Sequence, residues 1–304
     1  MAEGRGLARR AFDAFELRLG AGAPRWLRGG MRVAAAAGRL RNRLSGRWPR
    51  PDEVQRLFPR LTPGAAARVA REIAGNAACD RFLGASLRQE GLADLPSLLR
   101  PLPASFLALR PPAILGIFHV SLVDGLWPAL SRLDGPVAVV RHGHLRPSLP
   151  PFTLITTEGG VQSRAAAFLR TLAWLRAGGF ALSALDVVPG EGLPVAFLGR
   201  TLHLSRGPLS LSMRTGAPIV PMVVRRSGGW LEAEIGEPIA PPPLASKGRA
   251  RDAAGERAMA HAAAAWFERY LEARPSETGL GLIRFLLSEG STLESLAPLE
   301  ERAL

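Results

Sequence analysis

The stretch that decides the fold is residues 113–120, Ala113-Ile-Leu-Gly-Ile-Phe-His-Val120, a short and continuous apolar run broken only by a histidine near its end. Its length and uniform hydrophobicity predict a strand that is buried on both faces. Further short apolar runs follow downstream, and segments with helical character separate most of them. Strands that alternate with helices are typical of a parallel sheet covered by helices on both faces.

Glycine and proline set the boundaries of the other elements. The runs at 137–141, 152–156, 180–187 and 217–225 predict strands, and the alternating run at 230–235 predicts an antiparallel edge strand. Helices are predicted at 63–82, 124–133, 162–177, 208–215 and 253–271, with Thr62 as an N-cap and with Gly178 and Gly216 as stop signals. Residues 195–204 fit either a strand pair or a loop. The sequence therefore predicts an α/β fold with a central, mostly parallel mixed sheet flanked by helices.

Composition bounds the class of protein. The chain has 304 residues, 47% of them hydrophobic, which is enough for a large core. Cys79 is the only cysteine, so neither a disulfide framework nor a zinc cluster of thiolates is possible within the chain. The net charge is +13, and Lys247 is the only lysine, so arginine carries almost all of the positive charge. This charge predicts a polyanionic partner, although codon usage that favours arginine also contributes to it.

The arginines are concentrated near the N-terminus. Residues 7–45 fit an Arg-rich amphipathic helix, broken near Gly20–Pro24 and Gly29–Gly30, with apolar anchors that include Leu27 and Met31. Such a helix is typical of a membrane interface, and the alternative is a helix packed on the domain surface. We therefore expect a basic, membrane-associating helical segment at 1–50 and an α/β domain at 51–304. No apolar run reaches the roughly 20 residues that a membrane span needs.

A nucleic-acid partner is the competing interpretation of the positive charge. The sequence has no zinc-finger spacing and no RNA-recognition motif, and Tyr270 is its only tyrosine. Aromatic side chains that stack on bases are therefore scarce, and we expect no nucleic-acid partner.

The clearest chemical feature is Gly116-Ile-Phe-His119-Val-Ser-Leu-Val-Asp124-Gly125, where the buried strand meets the next helix. Ligands of open α/β sheets bind at the carboxyl ends of strands. A carboxylate on one imidazole nitrogen fixes the tautomer and leaves the other nitrogen as a general base, which suits His119 and Asp124. The same residues also fit a core histidine and an aspartate favoured by a helix N-terminus.

This motif resembles the His-x4-Asp signature of the lysophospholipid and glycerolipid acyltransferase superfamily. The order of the segments that follow is similar to the bacterial branch of late acyltransferases in lipid A biosynthesis. Those segments are Phe180–Asp186, Val195–Arg200, Gly207-Pro208 and Ala217-Pro-Ile-Val-Pro221, and Leu57-Phe58-Pro59 with Arg68–Ile73 resembles the same branch upstream. The resemblance covers about residues 50–275.

The resemblance implies an O-acyltransferase at the cytoplasmic face of the inner membrane, bound peripherally or monotopically. His119 would act as the general base and Asp124 would stabilise its charged form. The donor would be a thioester of acyl-carrier protein or coenzyme A, with no other cofactor, and the acceptor would be a hydroxyl of a lipid or glycolipid. The candidate substrate-binding residues are Arg141, Arg164, Asp186, Arg200 and Gly207. We expect no metal site, since His142 and His144 have no carboxylate or cysteine beside them in the sequence.

The chain departs from the lipid A branch at three places. Asp124 stands where that branch usually has glutamate, Asp186-Val187 replaces an Asp-Gln pair, and Pro275-Ser-Glu-Thr replaces a Pro-x-Gln-Trp block. Three alternatives stay open for this reason: a phosphatidylinositol mannoside acyltransferase, another lysolipid acyltransferase, and an inactive relative that binds lipids.

Overall fold

The computed structural model describes residues 27–45, 49–90, 98–118, 122–141, 152–157, 160–186, 192–243 and 249–287. Its strands are β1 Ala113–Ile117, β2 Val137–Arg141, β3 Thr153–Thr156, β4 Phe180–Ala184, β5 Gly192–Phe197, β6 Arg200–Ser205, β7 Ile219–Ser227 and β8 Trp230–Ile235. Its helices are α1 Leu27–Ser45, α2 Pro51–Leu57, α3 Pro63–Glu90, α4 Ala104–Leu107, α5 Leu126–Leu130, α6 Gly160–Arg176, α7 Arg206–Thr215, α8 Arg249–Ala273 and α9 Leu280–Leu287. Short 3₁₀ turns at Val123–Gly125 and Pro275–Glu277 precede α5 and α9.

Six strands form one sheet in the order β3-β2-β4-β1-β7-β8. Every neighbouring pair is parallel except β7 and β8, which are antiparallel. All five residues of β1 are buried, and β1 pairs with β4 on one side and with β7 on the other. The predicted α/β fold and mostly parallel mixed sheet are confirmed, and β8 is the predicted antiparallel edge strand.

Alternate side chains of the sheet enter two hydrophobic cores. Ile114 and Ile219 face the core that contains α7, α8 and α9, whereas Leu115 and Val220 face the core that contains α1, α5 and the C-terminal half of α3. Because both faces are covered, the strands read as continuous apolar runs in the sequence.

Residues 195–204, for which the sequence left two interpretations, lie within a β-hairpin. Strands β5 and β6 pair antiparallel as a separate two-stranded sheet. The hairpin rests on α8, where the backbone N–H of Leu198 donates to Glu268 Oε1 at 2.6 Å. A strand pair therefore forms here, as the first of the two interpretations expected.

Helices α1 and α3 pack at very short distance. A Cβ atom added to Gly38 would lie 2.5 Å from the carbonyl oxygen of Ala74, and one added to Gly75 would lie 3.0 Å from that of Ala35. The predicted break at Gly29–Gly30 is wrong, because α1 is continuous from Leu27 to Ser45. Gly30 faces the ring of Phe82 with no room for a Cβ, so this glycine permits a close helix contact.

The N-terminal segment is only partly described. Residues 1–26 lie outside the described residues, and so does the predicted break at Gly20–Pro24. Within α1, Leu27 and Met31 are buried in the core shared with α3, as the surface-packing alternative expected. Association of residues 1–50 with a membrane stays a prediction. In the described part of the chain, every helix is too short or too polar to cross a membrane.

The close approach of α1 and α3 predicts opposite effects for two glycines of one helix. Gly38→Ala should lower the free energy of unfolding by about 1–3 kcal/mol, because the backbone carbonyl of Ala74 cannot move aside easily. Gly29→Ala is the matched control, since no atom lies within 4 Å of its added Cβ, and it should raise stability by about 0.5–1 kcal/mol. Urea unfolding followed by circular dichroism measures both, and equal effects would contradict the packing.

Candidate active site at the carboxyl edge of the sheet

The chain leaves β1 through a buried aromatic cluster. Phe118 is fully buried, stacks on Phe267 with ring centroids 3.8 Å apart, and lies 5.6 Å from the ring centroid of Phe197. His119 is bonded to Phe118 and lies outside the described residues. The aromatic cluster therefore fixes the backbone directly before the predicted general base, at the carboxyl end of the central strand.

Two residues from separate elements hold Asp124. Asp124 lies in the 3₁₀ turn before α5 and follows Leu122, whose φ of 67° is in the left-handed region. The indole Nε1 of Trp127 donates to Asp124 Oδ1 at 3.1 Å, and the backbone N–H of Asp124 donates to Asp80 Oδ1 at 3.1 Å. The Asp124 carboxylate is thus oriented by Trp127 of the following helix α5, while the Asp124 backbone is hydrogen-bonded to α3.

Asp80 was not predicted from the sequence, although a signal for it exists. Glu72, Asn76 and Asp80 recur every fourth residue along an alanine-rich helix, so they share one face of α3. We call these three residues the α3 polar stripe. Arg226 donates from Nε to Asn76 Oδ1 at 3.2 Å and from Nη2 to Glu72 Oε2 at 3.3 Å. The stripe therefore faces the carboxyl end of β7 as well as Asp124.

Asp186 and Gly207 lie at the same edge of the sheet. The backbone N–H of Leu185 donates to the carbonyl of Ile117 at 2.8 Å, and that of Ser205 donates to the carbonyl of Leu185 at 2.8 Å. These bonds join the end of β4 to the end of β1 and to the start of α7. Asp186 is only 4% exposed, and Gly207 is the second residue of α7.

The three predicted arginines lie on three separate elements. Arg141 ends β2, which β4 separates from β1, so its backbone is roughly 10 Å away. Arg164 is exposed on α6, which follows β3 at the far edge of the sheet. Arg200 begins β6 and pairs with Phe197, whose ring centroid lies 5.6 Å from that of Phe118. Their roles in substrate binding stay predictions.

A charged cluster adjoins the α3 polar stripe. Arg225 pairs with Glu232 on the next strand, and Arg274 pairs with Glu234 at 3.3 Å. Beside them, the Tyr270 hydroxyl and Glu277 Oε2 are buried with no hydrogen-bond partner among the described residues. Burial is also the main cause that raises the pKa of both groups.

The pKa of Glu277 rises to about 7. Burial causes the rise, and the guanidinium groups of Arg226, Arg225 and Arg274 oppose it, while the carboxylate of Glu72 adds to it. The charged form is disfavoured because desolvation outweighs attraction to arginines that already have carboxylate partners.

Two further observations concern ligands. Among the described residues, no three His, Cys, Asp or Glu side chains lie close enough to hold a metal ion, and His142 and His144 lie outside those residues. A groove of about 370 Å³ runs between β3 and α6, beside Ile155 and Trp174. It lies at the far edge of the sheet from Asp124, so it is not part of this site.

In comparisons with known proteins, no family model matches the chain and no curated protein matches it. A function is therefore inferred from the geometry of the site and from the sequence segments quoted above.

The pKa of Glu277 predicts a stability that depends on pH. The folded-state pKa of about 7 lies above the usual 4.5, so the unfolded chain loses this proton first and stability falls as pH rises through that interval. Glu277→Gln cannot ionise and should be more stable than the wild type by about 3 kcal/mol at pH 8, with little difference at pH 4.5.

Urea unfolding at both pH values measures this difference. Glu272→Gln, at an exposed position of α8, is the control and should change stability little at either pH. A Glu277→Gln variant with the same pH dependence as the wild type would contradict burial as the cause.

Proposed function

We propose that this protein is an O-acyltransferase that moves a fatty acyl group from a thioester to a hydroxyl of a lipid or glycolipid. The observation that carries the proposal is the held carboxylate of Asp124, five residues after His119 and beside the carboxyl end of β1. Trp127 and Asp80 fix Asp124 at the edge where α/β folds gather their ligands. The lipid A precursor is the acceptor that the order of sequence segments favours.

The proposed reaction needs no covalent acyl-enzyme. His119 accepts the proton of the acceptor hydroxyl while the oxygen of that hydroxyl attacks the thioester carbonyl. The carbon–sulfur bond then breaks, and the thiol of coenzyme A or acyl-carrier protein leaves with the proton that His119 returns. Asp124 orients the imidazole and stabilises its charged form.

The surrounding elements suit the anionic parts of such substrates. The start of α7 adjoins the end of β4, and backbone N–H groups at a helix N-terminus attract phosphate oxygens. Asp186 is buried at the same edge and would accept a hydrogen bond from an acceptor hydroxyl. The net charge of +13 also suits the acidic surface of acyl-carrier protein, the phosphates of coenzyme A and an anionic membrane. We place the enzyme peripherally at the cytoplasmic face of the inner membrane.

The first test removes the proposed base. His119→Ala should lower kcat at least about a hundredfold, because general-base catalysis typically contributes that much or more. The assay follows thiol release from two donors, acyl-coenzyme A and acylated acyl-carrier protein. Each donor is combined with a lysolipid, a phosphatidylinositol mannoside or a lipid A precursor as the acceptor. His261→Ala, at an exposed position of α8, should retain full activity. Full activity in His119→Ala would contradict the mechanism, and no activity in the wild type with any acceptor would favour an inactive relative.

The second test concerns the orientation of Asp124. Trp127→Phe keeps the aromatic ring but removes the donor to Asp124, so kcat should fall about tenfold while KM changes little. Trp174→Phe loses a comparable indole hydrogen bond, to the carbonyl of Phe180 at 2.9 Å, away from the site. It should lower stability with no loss of kcat. Equal kcat values in the two variants would mean that the Trp127 bond is only structural.

A further inference from the structure

Helix α1 presents an apolar stripe to the outside of the protein. Val33, Leu40 and Leu44 are 42%, 55% and 77% exposed, and they supply half of the large hydrophobic side chains that stand exposed on the described residues. Their spacing of seven and then four residues places them on one line along the helix. We call these three residues the α1 stripe.

The stripe is distinct from the face by which α1 packs on the protein. Leu27, Met31 and Ala35 are buried against α3, and Cys79 of α3 donates to the carbonyl of Met31 at 3.0 Å. At 100° per residue, the α1 stripe points away from this buried face. Within the described residues, the stripe therefore takes no part in the packing of α1, and its apolar side chains stand exposed.

Arginines border the stripe. Helix α1 contains five arginines and no acidic residue, and Arg32 and Arg43 are exposed along one side of the stripe. Apolar side chains flanked by guanidinium groups match the surface of an anionic bilayer. There the apolar side chains would contact acyl chains and the guanidinium groups would contact the phosphates above them. A second copy of the chain is a poor match, because two such helices would bring their arginines together.

The position of α1 connects this stripe with the candidate site. The guanidinium of Arg28 lies 3.6 Å from the ring centroid of Trp230, at the turn between β7 and β8. This turn follows the carboxyl end of β7, so α1 borders the edge of the sheet that carries Asp124.

We propose that the α1 stripe and its arginines dock the protein on an anionic lipid bilayer, beside the site edge. This proposal deepens the proposed function, since it identifies the surface through which an enzyme acting on a lipid would meet its acceptor. Docking itself requires no acyl transfer.

The first experiment measures binding of the full chain to vesicles of phosphatidylcholine with 40% phosphatidylglycerol. Leu40→Glu/Leu44→Glu should lower the partition coefficient at least tenfold, and Arg32→Gln/Arg43→Gln should lower it severalfold. Leu107→Glu is the matched control, because Leu107 is 52% exposed on α4, before the amino end of β1, and should bind as the wild type does. Arg257→Gln/Arg269→Gln removes the same charge from exposed positions of α8 and should have a smaller effect than the α1 pair. Wild-type binding in the Leu40/Leu44 variant would overturn the proposal.

A second experiment avoids variants that fail to fold. Cys79 is fully buried, so an environment-sensitive fluorophore reacts selectively with Leu44→Cys or Leu107→Cys in the folded protein. Emission should shift to the blue on vesicles for the label at position 44 and not for the label at position 107. Equal shifts, or no shift at position 44, would overturn the proposal. Concentration-dependent dimerisation abolished by Leu40→Glu/Leu44→Glu, without vesicle binding, would assign the stripe to a second copy instead.

The two proposals fail separately. In detergent micelles that contain the acceptor, Leu40→Glu/Leu44→Glu should keep the activity of the wild type, whereas His119→Ala should be inactive and should still bind vesicles. Loss of activity in micelles for the stripe variant would contradict a docking role. Vesicle binding without any acyl transfer would leave docking intact and contradict the enzyme.

Discussion

The complete burial of β1 is the constraint on which the rest of the structure depends. Each side chain of this strand faces one of the two cores, and β4 and β7 occupy both of its edges. Even a methyl group at Gly116 would lie 2.8 Å from Leu185 and 3.0 Å from Ile219. No polar group fits inside such a strand, so reactive side chains are restricted to its carboxyl end. His119 and Asp124 follow that end directly in the sequence.

This constraint explains why the fold could be predicted so well from one sequence. A strand buried on both faces needs a continuous apolar run, and glycine or proline marks an end of several covering helices. The N-cap at Thr62 and the left-handed Gly216 after α7 are local features that short stretches of sequence specify. The break predicted at Gly29–Gly30 was wrong because it treated glycine as a local signal. There the glycine serves a tertiary contact, with Phe82, that no nearby residue reveals.

The candidate site was predictable only where chemistry and strand ends coincide. Asp124 and Asp186 follow apolar runs, whereas Asp80 reaches Asp124 across 44 positions of the chain from a helix. Its periodicity with Glu72 and Asn76 was visible, yet a polar line on a helix is usually a solvated face. Only the packing of α3 beside the ends of β1 and β7 brings that line into contact with Asp124 and Arg226.

Buried polar groups at this edge reduce stability, and they lie near the candidate site. Among the described residues, the Tyr270 hydroxyl and Glu277 Oε2 are buried without a hydrogen-bond partner. Natural proteins concentrate unfavourable burial near functional sites, because substitutions that relieve it there tend to impair function. The charge of Glu277 beside the Arg226 network therefore changes near neutral pH, because burial raises the pKa of this carboxyl to about 7.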